Sequence, residues 1–285
     1  MDLLRLEVFR IVVSPGVAGS LGVSQFIQRV DYDQIAPTYD RRFAADPTAG
    51  VGRALLALAR KLGADRVLEV GCGTGHWLAG MAPLAPLLYG LDASPGMLNQ
   101  ARQREVSLGL VQGHARRLPF KRSFFDLVFC VNAIHHFQDP HAFISEACRI
   151  LRPGGALAIV GSDPHERKDT WYVYRYFDGT YEADLRRFPR RGTVQGWMAA
   201  QGFEGIELDE AERIVDHKRG REVLSDPFLQ KNSCSQLALL SDEAYAAGLQ
   251  GIQAALQQAE ARGETIVFQS EISLAMLTGY KAELS

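Results

Sequence analysis

The sequence predicts an α/β fold in which a mostly parallel β-sheet carries helices on both faces. Short apolar runs alternate with segments of helical periodicity, and a glycine-rich turn follows the first of these runs. Such runs are typical of parallel strands that are buried on both faces, and their alternation with helices indicates β-α-β units. With 285 residues, of which 47% are hydrophobic, the chain can bury one large core, or one core and a cap.

Residues 66–92 form the first predicted β-α-β unit. Residues 67–70 are an apolar strand, and 71–75 follow as a turn with glycine at every second position. Glycine lets a ligand approach the backbone closely, because it has no side chain. The second apolar run, 87–91, ends in Asp92. An acid at the tip of this strand lies beside the glycine turn and can accept hydrogen bonds from both ribose hydroxyls, so the unit is predicted to bind a nucleoside.

The identity of the nucleoside depends on the spacing of the glycines. Dinucleotide-binding turns read G-x-G-x-x-G, whereas this turn reads G-x-G-x-G, with Glu69 two residues before its first glycine. A carboxylate at that position would repel a pyrophosphate and suits a ligand with a cationic amino-acid tail. A nicotinamide-dependent oxidoreductase stays open as the alternative, because a glycine turn alone is common to both classes.

Four motifs follow one another along the chain. They are E-x-G-C-G-T-G at 69–75, D-A-S-P at 92–95, F-D-L-V with H-H-F within 125–137, and L-R-P-G-G at 151–155. In this order they resemble the class I S-adenosylmethionine (SAM) dependent methyltransferases, and in particular the UbiE-like branch, methyltransferase type 11. The resemblance covers residues 32 to about 161.

The resemblance implies a Rossmann-like, seven-stranded, mostly parallel sheet whose last strand, 266–279, is antiparallel. It also implies SAM as cofactor, S-adenosylhomocysteine (SAH) as product, and methyl transfer by in-line displacement, most simply to an oxygen or nitrogen of a small-molecule acceptor. A regulator that binds SAM without catalysis stays open, because its cofactor site would look the same.

The expected cofactor-binding residues are Tyr32, Tyr39, Glu69, Gly71, Cys72, Gly73, Gly75, Asp92, Ala93, Met97, His114, Ala115, Asn132 and Ala133. By resemblance, Glu69 and the glycine-turn backbone hold the amino-acid portion of SAM, and Asp92 holds the ribose. The backbone of Asn132 and Ala133 lines the sulfonium side. Met97 is either a contact of the adenine ring or a core residue, which is the commoner role of a single methionine.

His114 departs from the family pattern, which usually has an acid at this position, contacting the adenine amino group. A neutral histidine can still accept a hydrogen bond through one ring nitrogen. The backbone of His114 and Ala115 is the alternative contact.

His136 and Tyr39 are the candidate general bases, His136 first, because histidine titrates near neutral pH. His136 belongs to the His135–His136 pair after the fourth predicted strand, where open α/β sheets bind ligands. A histidine that caps the next helix is an equally good interpretation, and a metal site is disfavoured because no further ligands are spaced for it. Tyr32 and Tyr39 flank Pro37 in a segment that either packs at the edge of the core or closes over the cofactor as a flap.

Four regions are predicted along the chain. They are an N-terminal arm and flap (1–50), the SAM-binding core (51–161), an aromatic cap insertion (162–192), and the C-terminal part of the core with a helical insertion (193–285, insertion 209–265). Together the insertions are expected to enclose the acceptor pocket, with aromatic rings as its walls.

The composition bears on partners and compartment. A formal net charge of −2 gives no electrostatic reason to expect nucleic acid or an anionic membrane as a partner. Residues 8–23 are apolar, but Arg10 and Pro15 interrupt them, and neither a signal peptide nor a membrane span is expected. The four cysteines form no C-x-x-C pair, which favours a reduced, cytoplasmic protein. We expect a monomer or a homodimer without a metal.

Overall fold

The computed structural model describes residues 30–43 and 49–283, so most of the predicted N-terminal arm lies outside the described residues. A single eight-stranded sheet forms its centre. The strands are β1 (Arg66–Val70), β2 (Leu87–Asp92), β3 (Leu108–Gln112), β4 (Phe125–Val131), β5 (Leu151–Gly161), β6 (Thr170–Trp171), β7 (Phe203–Arg219) and β8 (Val267–Lys281).

The strand order is β3-β2-β1-β4-β5-β8-β6, and β7 also pairs with β8. Strands β1 to β5 pair with one another in parallel, whereas β8 is antiparallel to β5, β6 and β7. The predicted mostly parallel sheet with an antiparallel last strand is therefore confirmed. The sheet has one strand more than the seven predicted, because the two residues of β6, too short to leave a sequence pattern, add to the edge of β8.

Helices cover both faces of the sheet, as predicted. They are α1 (Tyr32–Ile35), α2 (Ala49–Leu62), α3 (His76–Gly80), α4 (Pro95–Ala101), α5 (Pro140–Ile150), α6 (Tyr172–Tyr176), α7 (Thr180–Arg187), α8 (Arg191–Ala200), α9 (Ser235–Ala238) and α10 (Asp242–Ala261). Apolar residues of α2 and α3 pack with one face of the sheet, and those of α5 and α8 pack with the other. Among the described helices, none is both long and apolar enough to cross a membrane.

Strands β7 and β8 form a long antiparallel pair that extends beyond the other strands. We call this pair the β7–β8 hairpin, although its two strands are joined through residues 220–266 and not by a short turn. Its register runs from Phe203 opposite Lys281 to Arg219 opposite Val267. The prediction of a helical insertion over 209–265 is therefore wrong for 209–219, which continue β7, and the helical part begins after Arg219. The charged residues of this stretch obscured the strand. They are tolerated because β7 is an edge strand with much of its length exposed to water.

The two predicted insertions form one cap with a hydrophobic core of its own. This core joins Val173 and Phe177 from the first insertion to Leu237 and Ile252 from the second, with Phe268 of β8 between them. The cap is therefore a packed unit supported by the outer half of the β7–β8 hairpin.

Candidate active site

A cavity of about 590 Å³ lies between the sheet, the cap and the N-terminal segment. It opens at the carboxyl ends of three parallel strands, where Gly71 follows β1, Asn132 follows β4 and Ser162 follows β5. This is the edge at which open α/β sheets bind ligands. The β7–β8 hairpin forms another wall, because alternate residues such as Ile214 and Ile272, which are direct cross-strand partners, point into the cavity.

The glycine turn lies at one end of the cavity in a conformation that needs glycine. Gly71 has φ +73°, and a Cβ there would lie 2.7 Å from the Cβ of Ala133. The Gly71 N–H donates to the carbonyl oxygen of Leu91 at 2.7 Å, which ties the turn to β2. Gly73 also has a positive φ, and no atom lies closer than 3.9 Å to the place where its Cβ would be. The predicted contact residues Gly71, Gly73 and Ala133 are thus neighbours.

Glu69 lies beneath the turn, and its residue surface is only 1% exposed. Its Oε2 accepts a hydrogen bond from the Leu78 N–H at 3.1 Å. Burial raises the pKa of Glu69 well above its usual value; the Leu78 hydrogen bond opposes the shift, and Asp92 adds to it. Among the described residues no cation forms an ion pair with this carboxylate. A cationic ligand group would therefore favour its charged form.

Asp92 ends β2 beside the turn, as predicted. Its Oδ2 accepts from the Gly73 N–H at 2.8 Å, and its Oδ1 accepts from the Ser94 N–H at 2.9 Å. Burial raises the pKa of Asp92, while these backbone hydrogen bonds lower it. A carboxylate has about four lone-pair sites, so two donors leave capacity for hydroxyl donors of a ligand.

The N-terminal segment is anchored to the turn and to α4 by two acids. Asp40 forms an ion pair with Arg104 at 2.6 Å and accepts from the Thr74 hydroxyl. The Oδ1 of Asp33 accepts from the Ser94 hydroxyl at 2.6 Å and from the Gly96 N–H at 2.7 Å. These contacts hold α1 and the following 3-10 helix, Ala36–Phe43, against the cofactor side of the core.

Both tyrosines of this segment line the cavity. The Tyr32 hydroxyl is hydrogen-bonded to Nε2 of His136 at 2.7 Å, and the rings of Tyr32 and Tyr39 meet edge to face with centroids 6.2 Å apart. Tyr39 also lies 3.9 Å from the place where a Cβ of Gly73 would be. The segment therefore contacts both the glycine turn and the histidine pair, which is the placement expected of a flap.

His135 and His136 have different surroundings. The His135 ring stacks on Phe188 of the cap, with centroids 3.8 Å apart and planes inclined by 12°. Burial lowers the pKa of His135 well below its usual value, and His136 and Arg187 act in the same direction. His135 is therefore neutral near pH 7. Its ring centroid lies 4.0 Å from that of His136.

Comparisons with known proteins identify the family. A methyltransferase domain model matches residues 68–159. The malonyl-[acyl-carrier protein] O-methyltransferase of Methylococcus capsulatus is 34% identical over 66% of this chain and 67% of that enzyme. The chain belongs to the SAM-dependent methyltransferases.

Two further similarities agree. The demethylmenaquinone methyltransferase of Deinococcus radiodurans is 33% identical over 53% of this chain and 66% of that enzyme. In structure, the Haemonchus contortus phosphoethanolamine N-methyltransferase 2 in complex with SAM matches with TM-score 0.55 and 18% identity, over 93% of this chain and 61% of that one. These matches confirm the predicted family, fold, enzyme class and cofactor, and they decide against the nicotinamide-dependent alternative.

Two features of this site have the chemistry that SAM needs. Glu69 is a buried carboxylate that forms no ion pair within the described residues and so suits a cationic amino-acid tail, and the backbone beside Gly73 is open to a ligand. Cys72 lines the cavity, but its Sγ fills the space above Gly90, where a Cβ would lie 2.7 Å from it. The Cys72 side chain therefore packs against β2, and its backbone remains for the cofactor.

Seven of the predicted contact residues do not line this cavity. They are Gly75, Asp92, Ala93, Met97, His114, Ala115 and Ala133. Asp92 and Ala133 nevertheless contact the glycine turn, at Gly73 and Gly71 respectively. Met97 is covered by Ile35 and Ala36 of the flap segment, the His114 side chain is exposed, and Ala115 packs into the sheet core. The roles of these seven residues in cofactor binding stay predictions.

Several cavity residues have no counterpart among the predicted contacts. They include Trp77 of α3, Asp169 before β6, Asp226 after a short 3-10 helix, and Gln236 of α9. Trp77 follows the glycine turn by two residues, and this proximity in the sequence could have identified it as a cavity residue. Asp169, Asp226 and Gln236 are brought to the cavity only by the packing of the cap, which no local pattern reveals.

Proposed function

We propose that the protein transfers a methyl group from SAM to a small-molecule acceptor that binds beneath the cap. The observation that carries the proposal is the continuity of the cavity, which extends from Glu69 and the glycine turn to Trp171, Tyr174 and Phe228 of the cap. The relatives are named for acceptors as different as a malonyl-carrier conjugate and a quinone precursor. The shared cofactor half and the separate cap support an acceptor that the cap selects.

In this proposal Glu69 and the glycine-turn backbone bind the amino-acid portion of the cofactor, and Asp92 accepts from the ribose hydroxyls. Bound SAM supplies an electrophilic methyl group on a sulfonium. The backbone of Asn132 and Ala133 lines the approach from the acceptor side. Tyr32 and the cap exclude water, so that most of the acceleration comes from proximity and orientation of the acceptor lone pair.

A general base is needed only when the acceptor is protonated at neutral pH, and we propose His136, with Tyr39 as the second candidate. His136 lines the cavity, and its ring is held by Tyr32. If His136 is the base, His136→Ala lowers kcat about 100-fold or more, while the Kd for SAM stays within about twofold because Glu69, Asp92 and the glycine turn are unchanged. Tyr39→Phe removes the second candidate in the same assay. Turnover by His136→Ala at the wild-type rate would assign no base role to this residue.

Calorimetric titration with SAM of the wild type and of Asp92→Ala tests the cofactor site. Losing the ribose contacts should weaken binding by about 2 kcal/mol, roughly 30-fold. Asp178→Ala, which removes an exposed cap acid outside the cavity, should bind like the wild type. If wild-type protein freed of bound SAM or SAH does not bind SAM, the proposal fails at its first step.

The same proposal places the protein in the cytoplasm as a monomer or homodimer that needs no nucleic acid or membrane. Its support is the near-neutral charge of the chain. Size-exclusion chromatography with light scattering gives the oligomeric state directly.

A further inference from the structure

The cap half of the cavity combines aromatic rings with two carboxylates that form no ion pair within the described residues. Asp169 and Asp226 line it together with Trp171, Tyr174 and Phe228. We propose that this part of the cavity binds a basic nitrogen of the acceptor, so that the enzyme methylates an amine. This inference rests on the proposed methyl transfer and specifies its acceptor.

The two carboxylates are held by donors that leave their charge uncompensated. Asp169 accepts from the Ser273 N–H at 2.9 Å. Asp226, whose residue surface is 5% exposed, accepts from the Tyr172 hydroxyl at 3.0 Å and from the Phe228 N–H at 2.9 Å. Within the described part of the chain, neither acid forms an ion pair. Burial raises the pKa of Asp169, as expected for a carboxylate that has lost water without gaining a cation.

Two cations of the described residues line the cavity, and each is paired with another acid: Lys218 with Asp216 and Arg213 with Glu271. Two arginines outside the lining are also paired, Arg191 with Glu166 and Arg187 with Asp184. Arg213 is exposed at the rim. Arg191 lowers the pKa of Asp169, and Asp226 raises that of Lys218, so both cations lie near an unpaired acid while bonded to a different one. The lining therefore has a net negative charge that an anionic acceptor would not satisfy.

The aromatic residues complete a surface suited to an ammonium group. Trp171 and Tyr174 meet edge to face with centroids 5.3 Å apart. Trp171 of β6 is opposite Ser270 of β8, and Ser270 is opposite Asp216 of β7. These three cavity residues therefore lie in one row across strands β6, β8 and β7. The face of an aromatic ring attracts an ammonium group, and tryptophan is the best partner. A carboxylate near such a ring adds direct attraction.

Methyl transfer to an amine needs no reactant other than SAM. The bound ammonium first loses one proton, to His136 or to water, and the neutral amine then has a free lone pair. Attack of this lone pair forms the N–C bond as the S–C bond breaks, and the electron pair of that bond stays on sulfur. The product is a methylated ammonium together with SAH.

Three probes with one phenol ring and different tails test the charge preference. Tyramine has an ammonium tail, 4-ethylphenol is neutral, and 3-(4-hydroxyphenyl)propionate has a carboxylate tail. Each is titrated by calorimetry into SAH-saturated protein. We expect tyramine to bind at least tenfold more tightly than either of the others, and Asp169→Asn and Asp226→Asn each to reduce that preference at least fivefold. Asp178→Asn, an exposed cap acid that does not line the cavity, should keep it.

The SAH titration shows whether a negative result contradicts the proposed function or only the amine inference. Loss of SAH binding by the wild type would contradict the proposed function. Normal SAH binding with equal affinity for the three probes, with preference for the carboxylate, or without tyramine binding would overturn the amine inference alone. SAH affinity also reports the folding of each variant. Asp169→Asn and Asp226→Asn proteins that bind SAH normally and keep the full tyramine preference would likewise overturn it.

Discussion

Glu69 is a buried acid that forms no ion pair within the described residues, and its burial has a measurable consequence for stability. Burial raises its pKa in the folded state above the ordinary value of 4.5. Folding therefore favours the protonated form: the penalty is absent below about pH 4.5 and grows as the pH rises through the folded-state pKa. The Glu69 carboxylate thus destabilises the cofactor-free protein at neutral pH.

Replacing Glu69 by Gln should raise the Tm of the cofactor-free protein at pH 7, with the gain disappearing towards pH 4, and should weaken SAM binding at least tenfold. Thermal unfolding from pH 4 to 8 and calorimetry with SAM measure the two effects.

Glu146→Gln is the contrasting variant, because the hydrogen bond from Arg149 lowers the pKa of Glu146 in the wild type. That stabilisation is present above the unfolded pKa and is lost as the pH falls through the folded one, so this variant should be less stable at pH 7. An unchanged Tm in Glu69→Gln would contradict the argument.

At the scale of single elements, the glycine turn is the most constrained segment of the site. Gly71→Ala places a methyl group 2.7 Å from the Ala133 Cβ at φ +73°, and the two effects together should cost at least about 2 kcal/mol. For a chain of this size the Tm should fall by roughly 5 °C, with loss of SAM binding. Gly196→Ala in α8, where a Cβ meets nothing within 4 Å, should be neutral or slightly stabilising. Differential scanning calorimetry compares them, and equal Tm values for both variants would refute the constraint.

Elements whose signal is local could be predicted from the sequence, and elements that depend on distant partners could not. The strand 108–112 and the start of α4 after the Ser94 cap agree with the pattern, because apolar runs and capping residues act within a few positions. The outer half of β7 escaped prediction, because its strand conformation depends on pairing with β8 some 60 residues later. Most of its own residues are charged, which hides the few apolar positions, such as Ile214, that face the core or the cavity.

In the site, too, residues near the glycine turn could be predicted, whereas contacts between distant residues could not. Glu69 and Asp92 could be placed because each lies next to the glycine turn in the chain or in the adjacent strand. The hydrogen bond between Tyr32 and His136 joins residues 104 positions apart, and no sequence period encodes it. Asp169 and Asp226 meet the cavity only because the two insertions share one core. Acceptor recognition is thus the part of the site that the sequence patterns left undetermined.

At the scale of the whole molecule, the cap and the cofactor half should respond separately to mutation. A Cβ at Gly248 in α10 would lie 2.2 Å from the ring of Phe177, which is fully buried in the cap core. Gly248→Ala should therefore lower the Tm and reduce methyl transfer at least tenfold, while the Kd for SAM stays within about threefold. The measurements are thermal unfolding, SAM calorimetry and turnover with labelled methyl groups.

Gly251→Ala is the matched control in the same helix, because its Cβ meets the Tyr176 ring at an ordinary 3.6 Å. It should leave all three quantities near the wild-type values. Should Gly248→Ala abolish SAM binding as completely as methyl transfer, the cap would have to be regarded as part of the cofactor site.

Within the described residues the chain passes between the two halves in four places: after β5, before α8, along β7 and back along β8. If the cap selects the acceptor as proposed, this layout allows acceptor choice to diverge without disturbing the cofactor half, because insertions at these crossings alter the cap alone. It also offers protein engineers a set of splice positions. On the same proposal, a cap from a related enzyme, grafted at matched positions of these crossings, would carry its acceptor preference with it.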